Sequence, residues 1–525
     1  MKGVRGLALA VGLLVIAAGP AQAQFESVGS IDFPTSATGE AQQHFLRGVA
    51  ILHSFGWNQA IEQFQAAQEI DPDFVMAYWG ESLAYNHPLF SGMDPTEPRK
   101  ALQRLGATPA ERMAKAPTDR EKGFLRAVEI LWGEADPAER RVGYMEAMRD
   151  LYDSYPDDSE VTAFYALSTL SARSAIGDQS LRLKIRAGTI ALNLFEDRPN
   201  HPGAAHYTIH AFDDPLHAPL ALEAAHAFAD IAPAVAHAIH MPTHIFIQHG
   251  MWDYVSRNNQ RSYDAARALW KPGDSMGDAI HPLDWGQYGD LQLGDYAKAR
   301  LWIDRIEEMS QQGGFLEGGA RGQGGVARAR NTESLLKSRY TVETEEWKIL
   351  PITEELPSNQ VLATALSAYH LEDQQTLAEA EAALKERGGG GNSSVMMNQV
   401  SALLHAGMGH AEVAIGFIDD AMATVDAGSP PSGAASPIKP VHELYGELLL
   451  DFGQPDDAIE KFETSLERMP NRPRSLLGLA RAHAMVGNEQ RAAESYKKLT
   501  EVWAGGTTLD GYQEAMRYLR STENN

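Results

Sequence analysis

No cysteine occurs among the 525 residues. Its absence removes disulfides, thiolate nucleophiles, cysteine-ligated zinc, iron–sulfur clusters and covalently attached c-type haem in one step. Any metal must then be held by His, Asp, Glu or Met. Positive charge is scarce as well: 45 Lys+Arg stand against 70 Asp+Glu, a formal charge of −25. Nucleic acid is held mainly by Lys and Arg on phosphates, and no local basic stripe offsets this balance, so nucleic-acid binding is excluded as an expectation. There is no Walker sequence, and no alternating β pattern runs through the chain. With 44% hydrophobic and 22% charged residues, the composition is that of a chain able to bury a core.

Long apolar runs are confined to the N-terminus. Lys2 and Arg5 precede an apolar run from Leu7 to Ala18, followed by Ala21-Gln22-Ala23, the three parts of a secretory signal peptide over residues 1–23. The run holds about a dozen residues, short of the ~20 needed to span a bilayer. Cleavage after Ala23 is expected, giving a soluble periplasmic or secreted protein with no membrane insertion.

What the sequence does have is repetition. Between Ala41 and Phe74, Gly48, Ala60, Phe64, Ala67 and Pro72 mark a helix pair. The same frame returns after Lys439 with Gly446, Ala458, Phe462 and Pro470, and after Pro473 with Ala480, Ala492 and Tyr496. Small residues let two helices cross closely, the aromatic fills the gap to the next pair, and Pro ends the second helix. Helical periodicity agrees: Phe45, Val49 and Leu52 share one face, as do Ile61, Phe64 and Ala67. Short glycine turns sit between paired helices at Gly56-Trp57, Gly250-Met251-Trp252, Gly294-Asp295-Tyr296 and Gly453-Gln454-Pro455.

These positions resemble the tetratricopeptide-repeat superfamily. The resemblance implies an all-α, right-handed superhelix (solenoid) of helix pairs that binds a peptide, protein or small-molecule ligand in a concave groove. The chain divides accordingly: N-terminal repeats over 24–312 containing a His-rich block at 201–249, a Gly-rich loop at 313–325, degenerate helical repeats at 326–427, a Ser/Pro linker at 428–440, and C-terminal repeats at 441–525. The Gly-rich run from Gly388 to Ser394 and the Ser/Pro segment read as flexible connections.

Nine of the 18 histidines lie between His201 and His249, at 201, 206, 210, 217, 226, 237, 240, 244 and 249. Two H-x-x-x-H pairs stand out, His206 with His210 and His240 with His244, each placing both imidazoles on one helix face. If both pairs lie on first helices of consecutive repeats, they converge across one groove. Four imidazoles, or three plus a carboxylate from Asp213 or Asp214, suit Zn, Cu or Fe ions. His87, His217 and His281 are further candidates for the same groove. Asp213 and Asp214 are open to three roles: ligand, partner of an imidazole N–H, or helix cap. Two other readings of the pairs stand beside metal binding, a metal-free polar groove lining and plain packing; for His226, His237 and His249, packing is the expected role. Pro242 lacks an N–H and is expected to kink or start a helix between His240 and His244.

The segment from His201 to Pro219, with His240-Met-Pro-Thr-His244-Ile-Phe and Gly250-Met-Trp-Asp downstream, is similar to a family of exported bacterial tetratricopeptide proteins, a resemblance that implies no particular reaction. A neutral zinc protease would need His-Glu-x-x-His, but Tyr207 and Met241 occupy the Glu positions. Gly273-Asp-Ser275-Met-Gly277 has the letters of a nucleophile elbow without the strand that strains it. Gly322-Gln-Gly324-Gly-Val-Ala327 lacks the preceding strand of a dinucleotide site and reads as a loop. Three functions therefore compete: a binding module or scaffold, a metal-dependent enzyme of hydrolytic or redox type in which Asp214, His87 or Tyr207 orients substrate, and a structural assembly subunit. Whether the chain is an enzyme is left open by the sequence.

Overall fold

A computed structural model describes residues 27–89, 94–270, 277–311 and 325–523. The expected signal peptide, most of Gly273–Gly277, Phe90 and most of the Gly-rich loop fall outside the described residues. The described residues form helices joined by short turns, with no strand among them. Each helix packs chiefly against its neighbour in sequence, which is the arrangement of a helical-repeat solenoid. Among the described residues, no helix is long and apolar enough to cross a membrane.

The repeat signature has a direct steric basis. The first pair is Gly39–His53 and Trp57–Ile70. Phe64 is fully buried, and a Cβ placed at Gly48 or at Gly80 of the next helix would lie 2.8 or 2.4 Å from its ring. Phe462 repeats this between Gly446 and Gly478, where the corresponding distances are 2.7 and 2.2 Å. One aromatic ring thus wedges between glycines of two first helices, which brings the backbones close and fixes the stacking of successive pairs. At the turn Phe452-Gly453-Gln454, Gly453 takes φ 73° with nothing within 4 Å of its missing side chain, so glycine is there for the backbone alone.

The solenoid folds back on itself. Trp252 donates its indole N–H to the carbonyl of Asn471 at 2.9 Å, and Gly250 abuts Pro470. Arg472, fully buried, reaches the carboxylates of Glu443 at 2.6 Å and Glu343 at 2.8 Å, and Gln292 at 3.3 Å. The C-terminal repeats therefore land on the helices that follow the His-rich block.

The segment 428–440, read from sequence as a linker, carries no helix but packs against that block. Gln248 donates to the carbonyl of Pro431 at 2.9 Å, Gly433 lies against the Trp285 ring, and Ala435 and Ile438 are buried.

Candidate metal centre

Four helices bring the histidines together. Pro202–Ala211 carries His206 and His210, Ala236–His240 carries His237 and His240, Pro242–Gln248 carries His244, and Gly277–Gln292 carries His281. Pro242 does interrupt the second pair: one helix ends at His240 and another begins at Pro242. Met241, between them, nevertheless keeps helical angles of φ −53° and ψ −37°, so the i, i+4 neighbourhood of His240 and His244 survives.

The four paired histidines do not form one ligand set. Each pair is completed by a third imidazole, giving His206, His210 and His237 in one group and His240, His244 and His281 in another. Within each group one nitrogen per ring lies within 4.8 Å of the others, a span one cation can bridge. His206 and His240 are buried, while His210, His237, His244 and His281 are half-buried.

Hydrogen bonds on the Nδ1 side fix the rings. His206 Nδ1 donates to the carbonyl of His53 at 2.6 Å, an acceptor left free at the C-terminal end of its helix. His244 Nδ1 donates to Asp213 at 2.7 Å, and Gln248 steadies the other carboxylate oxygen at 3.1 Å. His240 Nδ1 faces Asn259 Oδ1 at 2.6 Å, and the amide is oriented by its own donation to the carbonyl of Val255 at 2.8 Å. With Nδ1 as the donor, each Nε2 presents a lone pair inward. The Nε2 atoms of His206, His210 and His237 are buried with no hydrogen-bond partner.

Burial also decides the charge state. It pushes His206 and His281 down from 6.5 to about 3, and it holds His210, His237 and His240 well below the ordinary histidine value, each helped by neighbouring imidazoles. These five rings are neutral at pH 7, the state a metal requires.

The other candidates go elsewhere. Asp214 accepts from Lys184 at 2.6 Å, from His217 Nδ1 at 2.8 Å and from the backbone N–H groups of Leu216 and His217 at 3.0 Å, so it serves as a local cap and ion pair and takes His217 with it. His87 packs on Trp57 with ring centroids 4.8 Å apart and joins neither group. Tyr207 is fully buried and donates to His53 Nδ1 at 2.7 Å, which withdraws it from any groove-facing role. His226 packs between Phe246 and Tyr254, at 5.0 and 5.2 Å.

A third group, absent from the sequence reading, lies behind the first. Glu160, wholly buried, accepts from His53 Nε2 at 2.8 Å and His201 Nε2 at 3.1 Å. His201 Nδ1 takes the backbone N–H of Ala204, so its Nε2 bears the proton. Burial alone raises the Glu160 carboxyl, but His201 and His53 outweigh it and hold it at about 2. His53, Glu160 and His201 satisfy one another, unlike the two imidazole groups. Isolated in sequence, His53 and Glu160 carried no signal; His237, for which packing was the expected role, instead stands with His206 and His210, and its place three residues before His240 is the spacing that marks it.

Comparisons with known proteins bear on the repeat class. A tetratricopeptide-repeat family model matches residues 446–505, within the segment where Phe462 wedges between Gly446 and Gly478. Among solved structures, the chain is similar to that described as the crystal structure of the APC/C hetero-tetramer Cut9-Hcn1, at 14% identity, 86% of this chain, 78% of that chain and a TM-score of 0.32. It is also similar to the P58(IPK) TPR domain, at 13% identity, 93% of this chain, 100% of that chain and a TM-score of 0.21. No curated protein matches the sequence significantly. The chain is a helical-repeat protein with a tetratricopeptide segment at 446–505 and buried histidine clusters that could hold metal.

Proposed function

We propose that this chain is a metal-binding helical-repeat protein, in which the repeats hold a histidine centre for Zn, Cu or Fe ions, with His206, His210 and His237 as one ligand set and His240, His244 and His281 as the other. One observation carries the reading. His240 and His244 face each other Nε2 to Nε2 at 3.3 Å, while both Nδ1 atoms are committed as donors to Asn259 and Asp213. Two lone pairs at that separation repel unless a proton or a metal ion lies between them. Two nitrogens bound to one ion at ~2.0–2.1 Å with a tetrahedral angle stand about 3.3 Å apart. Three imidazoles per ion leave coordination positions open to a small ligand.

The alternative is a binding module that takes a peptide or protein in a concave groove, as the repeat match at 446–505 favours. The metal reading is favoured by the Nε2 atoms of His206, His210 and His237, which are buried without a hydrogen-bond partner. Export to the periplasm or beyond remains part of the proposal through Lys2, Arg5 and the apolar run that follows.

The test is elemental analysis of protein purified without a His tag or chelator, beside a variant carrying His206→Ala, His210→Ala, His240→Ala and His244→Ala. Near-stoichiometric metal in the wild type, lost from the folded variant, supports the proposal. Wild-type protein that holds no metal and takes up none from added Zn²⁺, Cu²⁺ or Fe²⁺ overturns it in favour of the binding module.

A further inference from the structure

Most ring pairs within a group are 4.3–5.2 Å apart, and the closest pairs between the two groups are about as far apart as the widest pair within each. Between groups, the ring centroids of His210 and His244 are 6.2 Å apart, and those of His237 and His240 are 6.3 Å apart. Within groups, His210 and His237 are separated by 6.4 Å and His244 and His281 by 6.1 Å. The chain itself enforces this closeness. His237 and His240 lie on one helix, three residues apart, a rise of about 4.5 Å along the axis, yet they belong to different groups. Two ions held by these sets would therefore be neighbours.

We infer that the six imidazoles form a single dinuclear copper centre, one ion per triad; this rests on the metal-binding reading above and deepens it. The donor set argues for copper. Each triad offers three imidazole nitrogens, and no carboxylate or thiolate belongs to either. Imidazole donors suit copper, and in its divalent state copper stands at the top of the affinity order of first-row divalent ions for nitrogen sites. Two anions lie beside the ligand rings: half-buried Asp213 on the Nδ1 of His244, and buried Glu160, which reaches the first triad through His53, whose carbonyl holds His206. Two negative charges balance two monovalent copper ions, whereas two divalent ions would leave an excess of positive charge in a low-dielectric site. Three-coordinate nitrogen geometry is also open to monovalent copper without a fourth protein ligand.

The experiment is anaerobic titration of the metal-free full chain with Cu(I) against a chromophoric Cu(I) chelator, followed by oxidation and electron paramagnetic resonance. Two equivalents per chain are expected, and the oxidised pair should show a half-field transition, dipolar broadening or loss of integrated spin from coupling. His210→Gln and His281→Gln, which alter half-buried rings, should each reduce uptake to one tight equivalent with an ordinary mononuclear spectrum. The wild-type spectrum alone tests the coupling should either variant fail to fold. Two equivalents without coupling, one equivalent in the wild type, or uptake of zinc but not copper each overturn the dinuclear copper centre while leaving the metal-binding reading intact. Failure to bind any of these metals removes both.

Discussion

Phe55 stacks on His210, with ring centroids 5.7 Å apart and planes 28° from parallel, and it does so from a left-handed backbone conformation at φ 57°. The same ring stacks on His237 at 5.4 Å and meets His206 edge-on at 4.4 Å, so one phenyl covers all three members of the first triad. In the matching turns of later repeats this backbone slot belongs to Gly453 or Gly487, at φ 73° and 74°. Here a bulky residue occupies it, and the strain is tolerated beside the candidate site.

Two substitutions separate ring from strain. Phe55→Ala loses the ring and keeps a side chain at positive φ, whereas Phe55→Gly loses the ring and relieves the backbone. Both variants should be less stable than wild type, with Gly above Ala by about 1 kcal/mol. Urea unfolding midpoints of the two variants check this. Equal stability, or Ala above Gly, would show that the turn is not strained.

How far the sequence discloses this centre depends on the type of signal. The helix pairs were legible because their cause is local: a glycine, an aromatic and a proline at fixed spacing report a wedge such as Phe462 between Gly446 and Gly478. His206 with His210 and His240 with His244 were legible for the same reason, since i, i+4 spacing is a property of one helix. Of their third partners, His281 was a candidate from the sequence without an assigned pair, whereas His237 was expected to pack. His281 arrives from a helix some forty positions downstream, and Asn259 and His53 act through tertiary contacts that no spacing announces. Asp213 and Asp214 are adjacent in sequence yet diverge in role, because Lys184, from another helix, captures one and His244 the other. The Ser/Pro segment read as a linker from composition, but Gly433 is small enough to lie on Trp285, and that contact draws the segment against the second triad.

The glycine wedge gives a prediction about the C-terminal repeats. A Cβ at Gly478 would stand 2.2 Å from the Phe462 ring, which is itself fully buried in the core. Gly478→Ala should therefore cost about 1–3 kcal/mol through overpacking. The double variant Gly478→Ala with Phe462→Leu should recover part of that loss. Thermal unfolding of the three proteins tests the wedge, and a Gly478→Ala protein as stable as wild type would refute it.

Acid should unfold the metal-free protein earlier than its carboxylates alone require. Burial lowers His206 from 6.5 to about 3, so the unfolded chain takes up this proton at a higher pH than the folded chain does. The stability contributed by keeping the ring neutral is complete above about pH 6.5. It is lost progressively as pH falls toward 3, at ~1.4 kcal/mol per pH unit for a single ring. His281 behaves in the same way, also pushed to about 3 by burial. Glu160, held at about 2, contributes only at lower pH, so measurements between pH 7.5 and 5.5 isolate the histidines. The urea midpoint of metal-free wild type should fall across that window, and His206→Gln should flatten the dependence. A midpoint independent of pH in this range would mean that the rings are solvated.

Asp213 provides the sharpest test of how the second triad is tuned. Its carboxylate accepts from His244 Nδ1 at 2.7 Å and from Gln248 at 3.1 Å, which fixes the ring, selects the tautomer and places a negative charge beside the candidate ion. Asp213→Asn keeps an oxygen that can accept the same proton but removes the charge. Asp213→Ala removes both. Loss of such a partner typically weakens metal affinity by about 10–100-fold, so the expected order is wild type, then Asn, then Ala. Competition with a chromophoric chelator, using Zn²⁺ and Cu(I) in parallel, measures the order directly. The first triad, whose His206 ring is steadied by the His53 carbonyl and none of whose rings is bonded to Asp213, should keep its affinity in both variants and so act as an internal reference. Equal weakening of both sets of binding steps would mean that Asp213 supports the fold of the block rather than one ion, whereas no change in either would remove it from the centre.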